Sequence, residues 1–162
     1  IAGLPTDTPE SFKNSLDSIV RLNAECITVH TLCMKRASRL TTEGVTLDLQ
    51  QARDAREMLA YTQNILGQNE YIPYYMYRQS RMVGNLENVS WSKKGFESLY
   101  NVYVMDETHT ILACGSGGVT KLKRNNPDYL ERIFNFKYPY EYIDRFDELI
   151  QRKSGIMQFY GQ

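Results

Sequence analysis

The most constraining feature of this sequence is the pattern at its start. Residues 1–5 have the pattern of a buried strand that ends in a tight turn, because a glycine permits a close or left-handed backbone and a proline suits a turn. Asp7 or Thr8 can cap a following helix, and Pro9 suits its first position, where a missing N–H costs nothing. A β-branched run at residues 26–32 predicts the next strand. Strand, helix and strand in this order predict a βαβ unit, and therefore two parallel strands of a larger α/β sheet.

The same segment suggests that the chain belongs to a longer protein. It has no initiator methionine, and residues 1–5 have the pattern of the last residues of a strand rather than the first. We therefore expect a chain cut from a longer protein within a domain. Two parallel strands without their neighbours leave an unpaired, apolar sheet edge, so we also expect self-association through that edge.

Composition and charge exclude several classes of protein. With 19 basic and 19 acidic residues the net charge is zero, which argues against a nucleic-acid partner or an anionic membrane surface. No apolar stretch approaches the roughly 20 residues of a membrane span. Cys26, Cys33 and Cys114 are too widely spaced for a disulfide framework or a zinc site. These features predict a cytoplasmic protein.

The rest of the chain mixes helical and extended patterns. Asp48 is a candidate cap for a helix that runs to about Leu66 and ends with Gly67. The tyrosine-rich segment 71–78 has the composition of a strand, although Pro73 restricts it to a sheet edge or an irregular start. The other predicted elements are a long loop at 79–95, a β-hairpin of 99–105 with 110–114, a short helix at 126–133 and a helix from about 140 to 152.

Two segments are candidate ligand-binding loops. Lys35, Arg36 and Arg39 follow the predicted strand at 26–32, and ligands bind at the carboxyl ends of strands in α/β sheets. A basic turn that is only solvated is the alternative. Residues 115–118 form a glycine loop after the second hairpin strand, and such loops let backbone N–H groups approach a ligand closely. A tight turn is the alternative there.

Several segments in a fixed order resemble one enzyme family. They are residues 3–5 with 8–10, 27–32, 35–40, 74–79, 84–88, the glycine loop and 132–137. Together they resemble the C-terminal part of the oxygen-independent coproporphyrinogen III oxidases, which are radical S-adenosylmethionine enzymes. Within that family the chain is most similar to the branch called coproporphyrinogen dehydrogenase. The resemblance spans nearly the whole chain.

The resemblance implies a fold and a domain organisation. The family has an open, partly closed (βα) barrel, so residues 1–70 are expected to supply its last βα units. Residues 71–162 are then an α+β region with the hairpin, the glycine loop and the helices. The family holds a 4Fe–4S cluster on a Cys-x-x-x-Cys-x-x-Cys loop, which is absent here. The resemblance therefore implies a fragment without cluster ligands that is inactive by itself.

The family reaction implies a substrate site. It converts two propionates of coproporphyrinogen III to vinyl groups, which gives protoporphyrinogen IX in haem biosynthesis. The reduced cluster cleaves S-adenosylmethionine to a radical that abstracts a propionate hydrogen, so an electron donor is also implied. The tetrapyrrole carries four carboxylates, and arginine pairs with a carboxylate through a planar fork. The substrate-binding residues are therefore predicted to be Lys35, Arg36, Arg39 and Arg78.

The resemblance also implies contacts with S-adenosylmethionine. Cys33 falls where the family contacts a second S-adenosylmethionine, through backbone and van der Waals surface; alternatively it is a small buried hydrophobe. Gly115, Gly117, Gly118 and Val119 match the loop that packs along the adenosine. The loop has an extra glycine where many relatives have alanine. No catalytic residue and no metal ligand are predicted within the chain.

Two other functions stay open. A haem-binding chaperone of the same fold family would need an accessible histidine or cysteine near the tyrosine-rich segment, and His30 is the candidate. Tyr75 and Tyr77 can stack beside a tetrapyrrole or line the core. A stand-alone α/β binding module without radical chemistry is the third possibility, and the strand pattern at residues 1–5 argues against it.

Overall fold

The structure is a computed structural model that describes residues 1–36, 38–126 and 128–161. It divides into two compact units, Ile1–Ser98 and the residues from Leu99 onward. Ala37, in the predicted basic segment, and Pro127, in the predicted short helix, lie outside the described residues. Within the described part of the chain, no helix is long and apolar enough to cross a membrane. The expected boundary between residues 70 and 71 concerns the parent barrel and stays a prediction.

Two helices of the first unit begin where the sequence predicts. The Thr8 hydroxyl accepts from the Ser11 N–H at 3.2 Å, and the Asp48 carboxylate accepts from the Gln51 N–H at 2.8 Å. Such caps satisfy N–H groups that have no partner inside the helix. Gly67 lies inside its helix instead of ending it. The helices of this unit are α1 (Pro9–Arg21), α2 (Arg39–Thr42) and α3 (Leu49–Gln68).

A three-stranded antiparallel sheet completes the first unit, with β3 in the centre and β1 and β2 at the edges. The segment predicted at 71–78 is confirmed as an edge strand, and its pairing is irregular between Pro73 and Tyr75. The predicted loop at 79–95 is wrong, because it contains β3 and a short 3-10 turn at Val83–Asn85. The strands are β1 (Cys26–Val29), β2 (Ile72–Tyr77) and β3 (Asn88–Ser92).

The predicted parallel pairing is present as one bridge, between Ala2 and Thr31. The Ala2 N–H donates to the His30 carbonyl at 2.7 Å, and the Leu32 N–H donates to the Ala2 carbonyl at 2.9 Å. The prediction of a larger parallel sheet is wrong, because β1 pairs along its length with β3, which runs antiparallel to it. No barrel is seen among the described residues, whose sheets are small and antiparallel. The chain therefore has a mixed α/β fold.

The hydrophobic core of the first unit lies between α1, α3 and one face of the sheet. Ile27, Val29 and Trp91 supply the strand side chains of this core. Burial of such side chains is worth roughly 1.5–3 kcal/mol each relative to exposure. The other buried members are Ala2, Phe12, Leu16, Met58, Leu66 and Tyr71.

The second unit is a β-hairpin with four short helices. Strands β4 (Val119–Asn125) and β5 (Asp128–Phe134) pair in continuous antiparallel register. Leu122, Ile133 and Phe159 form its buried cluster. The helices are α4 (Leu99–Asp106), α5 (Pro139–Asp144), α6 (Phe146–Lys153) and α7 (Gly155–Tyr160).

Several predictions for this unit are wrong. The predicted strand at 99–105 is helix α4, and residues 110–114 form one bridge, from Ile111 to Lys121, instead of a hairpin strand. Strand preference depends on an available partner, and the partner of β4 is β5. The predicted helix at 126–133 is mostly β5, because Asn126 lies in the hairpin turn, which favours asparagine as a helix cap does. The predicted helix at 140–152 is divided into α5 and α6.

Gly3 is expected to be essential for the packing of the first unit. Its φ is +84°, and a Cβ there would lie 3.2 Å from the Cβ of Ala55. Gly3→Ala should therefore lower the free energy of unfolding by about 1–3 kcal/mol, measured by urea denaturation. Gly67→Ala is the control, because it meets nothing within 4 Å and should raise stability by up to roughly 1 kcal/mol. Equal stability of Gly3→Ala and the wild type would contradict this packing.

Candidate functional site

The sheet of the first unit has a polar face opposite the hydrophobic core. Alternate side chains of a strand lie on opposite faces, and the register places Thr28 opposite Ser90 and Ser90 opposite Tyr75. The hydroxyl oxygens of Thr28 and Ser90 are 2.7 Å apart. We call this surface the polar face; its members are Cys26, Thr28, His30, Tyr75, Tyr77 and Ser90.

His30 and Tyr77 lie side by side on the polar face. The His30 Nδ1 is 3.5 Å from the Tyr77 hydroxyl, and the two rings are nearly perpendicular at 72°. The ring centroid of Tyr75 lies 5.5 Å from that of Tyr77. Partial desolvation of the imidazole lowers the pKa of His30, and the positive charge of the amino terminus adds to the effect. The ring is therefore neutral at neutral pH and able to accept a hydrogen bond or coordinate a metal.

The carboxyl ends of β1 and β2 lie at the same edge of the sheet, because both strands pair antiparallel with β3. The segments that follow them meet there. The backbones of Cys33 and Met82 form an isolated antiparallel β-bridge. Beside it, the Met34 N–H donates to the Arg81 carbonyl at 3.2 Å. Both segments carry positively charged side chains. We call them the cationic edge; they are Lys35, Arg36, Arg39, Arg78 and Arg81.

Three side chains of the cationic edge have partners. Arg36 and Arg81 are exposed, and neither makes a side-chain hydrogen bond or ion pair with another residue of the described ranges. The exposed pairs of the other three contribute little stability and separate easily. Those partners are Gln79 for Lys35, Glu43 for Arg39 at 2.8 Å, and Glu87 for Arg78 at 3.3 Å.

The cationic edge carries more positive than negative charge. Two of its five cationic side chains are paired with carboxylates, Arg39 with Glu43 and Arg78 with Glu87. Guanidinium groups bind carboxylates through two parallel hydrogen bonds, and their charge is permanent. This edge is therefore suited to a ligand with several carboxylates, and the polar face beside it offers aromatic rings.

Cys33 lies half-buried beside the cationic edge. Its thiol donates to the Ser80 carbonyl at 3.3 Å, and its backbone pairs with Met82. Cys33 offers backbone and van der Waals contact.

The glycine loop lies in the second unit, directly before β4. Gly115 and Gly117 have φ values of +87° and +71°, which side chains rarely adopt. The Gly117 N–H donates to the Phe136 carbonyl at 2.6 Å, and the Gly115 N–H donates to the Tyr142 hydroxyl at 3.2 Å. These N–H groups are therefore engaged within the chain. The loop is suited to van der Waals contact with a flat ligand more than to cradling an anion.

A buried amide lies beside the glycine loop. The Asn135 Nδ2 donates to the Gly115 carbonyl at 2.8 Å, and its Oδ1 is buried without a partner among the described residues. A Cβ at Gly118 would lie 3.0 Å from the Cys114 carbonyl oxygen and 3.2 Å from the Asn135 Nδ2. The next residue, Val119, is half-buried at the start of β4. The loop thus has no room for a side chain at Gly118 and one unmatched acceptor beside it.

Lys153 supports the glycine loop from α6. Its Nζ donates to the Ala113 carbonyl at 3.0 Å and to the Thr120 hydroxyl at 2.5 Å. Burial lowers the pKa of Lys153, against a smaller opposite effect of Cys114. The ammonium thus ties the segment before the loop to β4.

The residues present do not fit a 4Fe–4S cluster. Cys26 and Cys33 lie in the first unit and Cys114 in the second. Across residues 1–36, 38–126 and 128–161, no group of three His, Cys, Asp or Glu side chains could hold a metal ion. No reaction step is therefore assigned to a cluster held by this chain.

Sequence reasoning missed Arg81 and the polar residues of β3. Both lie in the segment predicted as a loop at 79–95. The alternation of Val89 and Trp91 with polar neighbours is a period-two pattern, which is typical of a half-buried strand. That signal was sufficient to predict β3, although not its pairing with β1 and β2.

The titration of His30 gives a test of the polar face. Its lowered pKa means that the folded chain binds fewer protons than the unfolded chain just below the ordinary value of about 6.5. We expect NMR titration to give His30 a pKa below about 6.5. Stability should fall as the pH drops through that value, and His30→Gln should remove this component. His109→Gln assigns the signals, since the chain has two histidines. A His30 pKa at or above the ordinary value would contradict this environment.

Comparison with known proteins supports the resemblance to the coproporphyrinogen oxidases. Over 158 residues, or 98% of this chain, 35% of positions are identical to the oxygen-independent coproporphyrinogen-III oxidase-like protein HemZ of Bacillus subtilis (strain 168). The chain spans about a third, 32%, of the length of that curated relative. No family model and no solved structure matches the chain. The predicted resemblance is confirmed: this chain is a homologue, over a fragment's length, of an oxygen-independent coproporphyrinogen-III oxidase-like protein.

Proposed function

We propose that this chain forms a substrate-binding wall of an oxygen-independent coproporphyrinogen III oxidase. Its parent would be a radical S-adenosylmethionine enzyme that converts two propionates of coproporphyrinogen III to vinyl groups. The observation that carries the proposal is the cationic edge, where backbone contacts join two separate segments that each carry cations. Homology to a coproporphyrinogen-III oxidase-like protein supports the choice of substrate class.

The chemistry of the substrate matches the cationic edge. Coproporphyrinogen III carries four carboxylates around a tetrapyrrole ring, so its binding site needs several cations at separated positions. Arg36 and Arg39 follow β1, while Arg78 and Arg81 follow β2. Carboxylates of one ligand can therefore be bound from two sides of β3. In this role the side chains orient the propionates, and no proton transfer is assigned to them.

The polar face is suited to the ring of the same substrate. Tyr75 and Tyr77 lie with ring centroids 5.5 Å apart on the strand that leads into Arg78. Tyrosine offers an apolar ring and a polar tip, which suits a half-wet contact with pyrrole rings. The binding wall thus combines ring contact at the sheet with carboxylate contact at its edge.

The glycine loop is proposed to contact S-adenosylmethionine. Gly115, Gly117, Gly118 and Val119 would pack along the adenosine. When bound, S-adenosylmethionine supplies the radical that abstracts the propionate hydrogen. The contribution of this chain is the shape of the loop, because its N–H groups are already engaged.

Removal of two arginines tests the substrate wall. We expect the variant Arg36→Ala with Arg39→Ala to bind coproporphyrin III, the stable oxidised tetracarboxylate, about tenfold more weakly than the 162-residue wild type. Added salt should weaken wild-type binding as well, since ions screen exposed charges. The measurement is a fluorescence titration of the porphyrin.

Arg21→Ala is the matched control. Arg21 ends α1, which precedes β1, so it lies toward the opposite edge of the sheet. Its loss should leave the affinity unchanged. An equal loss in both variants would indicate general electrostatic attraction, and no binding by a folded wild type would overturn the proposed function.

The haem-binding chaperone remains a second candidate because of His30. Its imidazole is accessible on the polar face, beside Tyr77, and is neutral at neutral pH. A neutral imidazole can ligate haem iron. A chaperone would therefore bind haem stoichiometrically through this residue.

Haem titration separates the two candidates. In the chaperone hypothesis the wild type shifts the Soret band at a one-to-one ratio, His30→Ala loses the shift and His109→Ala keeps it. In the oxidase hypothesis no iron is ligated by this residue, so the haem spectrum of His30→Ala is the same as that of the wild type. A haem spectrum that does not depend on His30 would exclude the chaperone role for this residue.

A further inference from the structure

We infer that Arg81 is a carboxylate-binding residue that discriminates a tetracarboxylate tetrapyrrole from a dicarboxylate one. This inference rests on the proposed function and adds a residue that the sequence patterns did not indicate. It stands on three observations: the backbone conformation of Arg81, the absence of partners for its side chain among the described residues, and the backbone hydrogen bond that joins its segment to the one that carries Arg36.

Arg81 has a left-handed backbone, with φ of +65°. In this region the Cβ of a residue comes too close to a backbone carbonyl oxygen, so glycine or asparagine is usual there. Backbone pairing on both sides holds this conformation. The Arg81 carbonyl accepts from the Met34 N–H, and the next residue, Met82, is buried and forms a β-bridge with Cys33. A glycine would satisfy the backbone better than an arginine does.

The side chain of Arg81 contributes nothing visible to the fold. It is exposed and makes no hydrogen bond or ion pair with other residues in the described part of the chain. Glu107 shows the contrast, because it is also left-handed at +52°, but its carboxylate binds Lys121 at 2.7 Å and Arg132 at 2.8 Å. The ion pairs of Glu107 offset the free-energy cost of its left-handed backbone. Among the described residues, no side-chain contact offsets that cost at Arg81.

Strain alone does not identify a site. Glu70 is also exposed and left-handed, at +63°, and it precedes β2 at the other edge of the sheet. The position of Arg81 separates it from Glu70. Arg81 lies at the cationic edge, where backbone bonds join its segment to the one that carries Arg36.

Among the residues that the structure describes, the guanidinium groups of Arg36 and Arg81 have no side-chain partner. Each can bind one carboxylate through two parallel hydrogen bonds without first breaking an ion pair. They stand on two segments, so together they require a ligand with carboxylates at separated positions. Coproporphyrin III, with four carboxylates, meets this requirement better than protoporphyrin IX, with two. The loss of Arg81 should therefore reduce discrimination as well as affinity.

The test replaces Arg81 by glycine in the 162-residue chain. We expect Arg81→Gly to raise the urea midpoint, because the backbone strain is relieved, and to weaken coproporphyrin III binding about tenfold. Protoporphyrin IX binding should change by less than about threefold. Arg81→Lys keeps a charge but not the planar fork, and should fall between the wild type and Arg81→Gly.

Glu70→Gly is the matched control. It should raise the urea midpoint in the same way and leave both porphyrin affinities unchanged. A gain in stability together with a loss of affinity at position 81 alone is the result that a purely structural role cannot produce.

Three results would overturn the inference. If Arg36→Ala weakens binding and Arg81→Gly does not, the proposed function stands and the role of Arg81 is wrong. If Arg81→Gly loses stability, the arginine side chain supports the fold and the inference fails. If the folded wild type binds no coproporphyrin III, the proposed function fails, and this inference fails with it.

Discussion

The first unit depends on the pairing of β3 with both β1 and β2. This short strand, Asn88–Ser92, runs antiparallel to each neighbour, so the two outer strands point the same way. Because they do, the segments after β1 and β2 leave the sheet at one edge. The bridge between Cys33 and Met82 is the direct consequence. Without β3, nothing would hold the two segments that carry the cations next to each other.

The same strand determines which side chains are buried. Trp91 lies in the core with Ile27 and Val29, while Ser90 faces the opposite side with Thr28. A slip of one residue would exchange the two faces, and place the tryptophan among hydroxyls and the serine in the core. The polar face and the hydrophobic core are therefore set by one register. The core side chains therefore also hold in place the strands that carry the polar face.

Much of the first unit could be predicted, because its signals are local. The caps at Thr8 and Asp48 and the edge strand with Pro73 are patterns of neighbouring residues. The errors lie where structure depends on distant partners. The composition of residues 99–105 predicts a strand and that of residues 126–133 a helix, whereas the strand partner of β4 decides the outcome.

The candidate site divides in the same way. The cluster at Lys35, Arg36 and Arg39 follows a strand and could be found from order along the chain. Arg81 could not, because neither a positive φ nor a meeting of strand ends can be read from residue types. A left-handed arginine without an internal partner lowers stability, so the fold alone gives no physical reason for this side chain. Ligand binding supplies such a reason at the cationic edge. Glu70, at the opposite edge, has the same left-handed backbone but lies away from the cationic edge, so its conformation does not indicate a ligand site.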